Sequence, residues 1–106
     1  MAFNTGPDML DSLVLSTVAK EATYGYRITQ QARKIVPVSE SSLYPVLRRL
    51  QRDGYLETYD QAFAGRNRRY YKITQAGCEA LEEYRSQWVE YRDKINRVLL
   101  GEGELE

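Results

Sequence analysis

Histidine is absent from the 106 residues of the chain, and with it the commonest general base and metal ligand. Cysteine occurs once, at Cys78, so no internal disulfide can form and nothing points to an oxidising compartment. No group of cysteines or carboxylates recurs at metal-ligand spacing. No glycine-rich loop follows a strand and opens a helix, and the terminal GEGE is preceded by no strand. No apolar run reaches the ~18 residues of a membrane span, and the opening MAFNTGPDML lacks the basic and apolar regions of a secretory leader. These absences argue against an enzyme, a metal or cofactor carrier and a membrane protein. The cytoplasm is the expected location.

Net charge is missing too, with 15 basic residues against 15 acidic ones, but the distribution is uneven. Between Arg27 and Lys72 stand ten basic and four acidic residues, a local charge of +6, and the remainder holds five and eleven, a charge of −6. A basic centre between acidic ends is the footprint of a nucleic-acid binder. A solvated charged surface would leave the same count. A chain of this length supports one domain, or one domain and an extension, burying roughly 60–70% of its unfolded surface.

Pro7-Asp8 reads as a helix start, and Leu10, Leu13, Val14 and Val18 supply an apolar stripe over about residues 8–20. The pattern breaks at Thr23-Tyr24-Gly25 and resumes in a second helix, with Ile28, Ala32 and Ile35 inward and Pro37 closing it. A third helix starts at Ser39, a good N-cap, and ends at Asp53-Gly54, where glycine can take the left-handed conformation. Its inner face is Leu43, Val46, Leu47 and Leu50. Pro45 interrupts that face, where a proline costs ~3 kcal/mol, and is expected to kink or loosen the amino end. YLETY and RYYKIT alternate as strands, with Leu56, Tyr71 and Ile73 as core. The connecting DQAFAGRNRR looks too long for a two-residue turn, so a flexible arginine-tipped loop is expected. Thr74 caps a fourth helix running to about Leu100, ended by Gly101 and Gly103, some 38 Å long.

Three short helices followed by two strands make a winged helix-turn-helix, in which the second of two crossed helices enters the major groove. The fold expected is mainly α with a small β-hairpin, followed by a long C-terminal helix. The third helix fits the reading role, since its outer face offers Ser41, Tyr44, Arg48 and Arg52 with Arg49 at the flank. Hydroxyls suit phosphate oxygens, and arginine grips phosphate or guanine. Arg66, Arg68 and Arg69 in GRNRRYY form a cationic finger for phosphates or a minor groove; the plainer reading is a solubilising tip.

The segments YGYRI, SSLYPVLRRLQRDGYL and RRYYKIT followed by Gly77 together resemble the signature of the PadR family of bacterial winged-helix transcriptional repressors. The resemblance spans about residues 9–78, with Ser41 where many members have glycine and Gln51 where glutamate is common. It implies that Tyr24 and Tyr26 contact DNA or brace the reading helix. It also implies that Ser41, Ser42, Tyr44, Pro45, Arg48 and Arg49 belong to the reading helix, and Arg66, Arg68 and Arg69 to the wing. Double-stranded operator DNA is then the expected partner. A winged helix that binds only another protein is the rival, and the basic centre separates the two.

Leu81, Tyr84, Trp88, Tyr91, Ile95 and Val98 follow one another at spacings of 3, 4, 3, 4 and 3, an a/d seam that packs a helix on another helix. The stripe exceeds what three short helices can cover, so a second copy of the chain is the expected cover, and a homodimer suits a two-fold operator. The resemblance implies the same dimerisation helix. Residues 1–74 are thus read as the DNA-binding domain and 75–106 as the dimerisation helix with a short tail. Trp88 is either an interface anchor or, paired across the dimer axis, a flat surface for a small hydrophobic or aromatic effector. Cys78, near a helix start, is a small buried hydrophobe or a redox-sensitive thiol.

Overall fold

The structure, a computed structural model, describes residues 3–101. Gly103, expected as a second helix stop, lies outside the described residues. Four helices, α1 (Pro7–Lys20), α2 (Gly25–Arg33), α3 (Glu40–Arg52) and α4 (Gln75–Leu99), accompany three strands, β1 (Thr23–Tyr24), β2 (Leu56–Phe63) and β3 (Arg66–Ile73). The strands pair antiparallel in the order β1-β3-β2.

In α1 the buried positions are Asp11, Val14, Leu15 and Val18. The helix is therefore turned from the expected stripe, with an acid on its inner face and Leu10 and Leu13 at its flanks. Val14 and Leu15 join Ile28, Leu43, Leu47, Leu50, Leu56, Tyr71 and Leu81 in one core cluster. α2 ends at Arg33 rather than at Pro37, so Ile35 falls beyond the helix and is 66% exposed instead of inward.

Ser39 caps α3 by accepting from the Ser42 amide at 3.2 Å. Pro45 does not break the helix, which runs unbroken to Arg52. The magnitudes account for this. Leu43, Leu47 and Leu50 are fully buried, contributing ~1.5–3 kcal/mol each, which outweighs a proline penalty of ~3 kcal/mol.

The hairpin departs most from expectation. β2 and β3 are eight residues each and stay in register to Phe63↔Arg66, leaving only Ala64 and Gly65 as the turn. Ala64 (φ 52°) and Gly65 (φ 79°) are both left-handed, the twist that matches a two-residue hairpin. The arginines thus ride on a paired strand, not a slack loop. β1 adds a short third strand through Thr23↔Tyr71 and Tyr24↔Tyr70, too brief for any periodicity to mark it. Thr74 caps α4 by accepting from the Gly77 amide at 3.0 Å. Cys78, one residue on, is exposed and not part of the core.

Candidate nucleic-acid interface

With Leu43, Leu47 and Leu50 committed to the core, α3 presents Ser41, Ser42, Pro45, Arg48 and Arg52 to solvent. The three serines at its start share hydroxyl contacts, Ser39 lying 2.9 Å from Ser41 and 3.1 Å from Ser42. Because Pro45 has no N–H, the carbonyl of Ser41 has no helical donor four residues on. The amino end of α3 is therefore polar and open.

Tyr44 turns back toward α2. A Cβ added at Gly25 would lie 2.5 Å from its ring carbon Cε1, so only glycine lets the first turn of α2 meet that ring. Burial, then the nearby Glu40 carboxylate, pushes the Tyr44 hydroxyl above its ordinary pKa. Tyr44 donates its proton rather than losing it, which suits a phosphate oxygen.

β3 delivers two sets of side chains. Tyr71 points inward and is buried, and burial raises its pKa while Arg69, then Arg48, oppose the rise. Arg48 comes from α3 and Arg69 from the hairpin, and both stand near enough for their charge to act on the one tyrosine. On the other face, Arg68 stacks over Tyr24 at 4.4 Å and over Phe63 at 4.5 Å. Tyr70 packs between Tyr24 and Tyr59, with ring centroids 5.5 and 5.6 Å away. A stacked guanidinium keeps its N–H edge free for a ligand.

Tyr24, Tyr26, Tyr44, Arg68, Arg69 and Tyr71 line one open cleft of about 400 Å³, and the charge of Arg48 reaches it at Tyr71. Arg66 stands exposed beside the turn. Of the expected set, Arg49 goes elsewhere. Its guanidinium bonds both carboxylate oxygens of Asp11, and that bond holds it above the ordinary arginine pKa. Arg49, expected at the flank of the outer face, fastens α3 to α1. Reasoning from sequence also missed Asp11, Gly25 and Phe63. For Asp11 the signal was there, an acid at helical spacing from Val14, Leu15 and Val18.

The expected seam of α4 divides. Leu81 is buried in the core, and Tyr84 donates to Asp11 at 2.8 Å, so both serve their own chain. Trp88 and Tyr91 meet Phe3, with centroids 5.4 and 5.9 Å away, a cover the sequence did not announce. Farther along, Val98 is 61% and Leu99 74% exposed. Among the described residues no group of histidines, cysteines and carboxylates could hold a metal, and no helix is long and apolar enough to cross a membrane.

Residues 14–83 match the model of the Transcriptional regulator PadR-like family. The chain is 40% identical over 89 residues to the transcriptional regulator Rv3488 of Mycobacterium tuberculosis, covering 83% of this chain and 79% of that one. A crystal structure from Streptococcus mutans superposes with a TM-score of 0.89 at 34% identity, covering both chains fully. A PadR-like transcriptional regulator from Bacillus cereus superposes with a TM-score of 0.80 at 34% identity, covering 91% of this chain and 94% of the other.

Proposed function

The chain belongs to the PadR-like family of transcriptional regulators, and on that premise we propose that it works as a homodimeric repressor binding double-stranded operator DNA. The observation that carries this reading is the cleft in which Tyr44 of α3 meets Arg68 and Arg69 of the hairpin, with Tyr24 and Tyr26 beside them. α3 lies in a major groove, where Arg48 and Arg52 reach base edges or phosphate, while Ser41, Ser42 and Tyr44 hold the backbone. The hairpin lies along the flanking backbone, with Arg66 at its tip and Arg68 and Arg69 behind.

Pairing of two copies is supported by the apolar end of α4, where Ile95, Val98 and Leu99 find little cover within one chain. The division of labour is then residues 1–74 for DNA and the helix from residue 75 for pairing, with Leu81 and Tyr84 shared by the core of the first part. An effector role for Trp88 is supported by an apolar cavity of about 370 Å³ that it lines with Met9, Leu13 and Tyr84. Small hydrophobic compounds seated there alter its fluorescence; the absence of any change at saturating compound removes that role.

Gel shifts on the DNA upstream of the chain's own gene test the proposal. A retarded band that is lost with rising salt supports it. A salt-independent association with another protein, and none with DNA, supports instead the winged helix as a protein-binding module.

A further inference from the structure

Between α1 and α2 lies an open cavity of about 400 Å³. Three cations line it, Lys20 at the end of α1, Arg27 on α2 and Lys34 just past α2, against the single carboxylate of Glu21. Among the described residues none of the three cations forms a salt bridge within the chain. Such a surplus of like charge around a concavity is repulsive until an anion enters it.

A second observation points to the same occupant. Thr23 also lines the cavity, is only 4% exposed, and its hydroxyl has no hydrogen-bond partner among the described residues. A buried hydroxyl left unpaired costs ~1–3 kcal/mol, and a group in such a position is ordinarily satisfied by solvent or ligand. Its O–H is an unused donor on a residue of the cavity lining. Leu13, Ala32 and Ile35 supply an aliphatic part of the wall, beside Ser16, Thr17 and Gln31. Cations, a buried hydroxyl and an aliphatic stretch in one lining describe a ligand with one charged end and one apolar end.

We infer that the cavity between α1 and α2 binds a small organic carboxylate with a short aliphatic body, its oxygens held by Thr23 and by Lys20, Arg27 and Lys34. The site adjoins the cavity beside Trp88, with which it shares Leu13, Ser16 and Ile35, but of the two it alone has Thr23 and the three cations, and it does not depend on DNA binding or pairing. Thr23 belongs to β1, directly before Tyr24 and Gly25, so an occupant sits where α2 meets the hairpin.

Hexanoate, its neutral counterpart hexanamide and inorganic phosphate are the probes, followed by backbone amide NMR and calorimetry on the full chain without DNA. Saturable hexanoate shifts centred on Thr17, Thr23 and Gln31 are expected, with hexanamide and phosphate at least tenfold weaker. Thr23→Val keeps the shape and removes the hydroxyl, so it should weaken hexanoate at least fivefold while the unliganded protein melts no lower than the parent. The paired substitution Arg27→Gln and Lys34→Gln should weaken hexanoate at least tenfold. Equal binding of hexanamide overturns the charged end, and equal binding of phosphate overturns the aliphatic body. Shifts centred on Trp88, unchanged affinity in both variants, or no saturable binding overturn the site.

Discussion

Arg49 of α3 holds Asp11 of α1 through two bonds, Nη2 to Oδ1 at 2.5 Å and Nη1 to Oδ2 at 3.1 Å. Asp11 is 3% exposed, and the hydroxyl of Tyr84 donates to the same carboxylate at 2.8 Å. One acid thus ties α3, α1 and α4 together. The bidentate geometry fixes orientation as well as distance, so the pair sets the angle at which α3 leaves the core. Breaking a buried pair costs more than the pair contributes, because it leaves one charge uncompensated.

Asp11→Asn should therefore destabilise the protein by about 1–3 kcal/mol in denaturant unfolding. Arg49→Ala should cost more than Asp11→Asn, because it leaves a buried carboxylate with only Tyr84. Both variants should weaken DNA binding in proportion to lost structure, and Arg49→Ala should leave the salt slope as it was. A reduced slope would return Arg49 to the phosphate contacts.

The Tyr84 hydroxyl is pushed well above the ordinary tyrosine pKa, first by burial and then by its bond to Asp11. The fold thus favours the neutral phenol. Its contribution is complete below the unfolded tyrosine value of ~10 and is lost as pH rises through the higher folded value. Stability should fall with rising alkaline pH, and Tyr84→Phe should shallow that fall. Phenolate absorbance of the variant should lose part of its latest-titrating component.

Gly25→Ala should destabilise by about 1–3 kcal/mol through overpacking against the Tyr44 ring. Tyr44→Leu in the same chain should recover part of that loss. Full tolerance of alanine would mean that α2 and α3 do not meet as closely as described.

Ala64 occupies the left-handed region at φ 52°, where a side chain costs roughly 1–2 kcal/mol. Ala64→Gly should relieve that strain and raise stability by about 0.5–1 kcal/mol, the higher entropy of unfolded glycine cancelling the rest. Thermal unfolding checks it, and a lower melting temperature contradicts the turn.

These same residues mark where sequence reasoning worked and where it stopped. α3 was legible because Leu43, Leu47 and Leu50 repeat at helical spacing and Ser39 caps the helix in the usual way. The tight turn was not, because Ala64 is a residue whose identity gives no warning of positive φ, unlike Asn or Gly. β1 is two residues long, shorter than any period that could reveal it. Arg48 and Arg49 are neighbours in sequence and look interchangeable. A helix rotates successive residues by about 100°, and that rotation sends one toward Tyr71 and the other to Asp11. The partner that decides between them lies 38 residues away in the chain, where no local pattern could report it.

Fluorescence anisotropy of a labelled duplex from the upstream region, titrated at several salt concentrations, tests the convergence of α3 and the hairpin most directly. Log affinity should fall steeply against log salt, and Arg48→Ala and Arg68→Ala should each reduce the slope by about 1. The double variant should reduce it by about 2, since both side chains touch one duplex. A slope that neither substitution alters, or affinity independent of salt, would contradict a single DNA-facing surface built from the two segments.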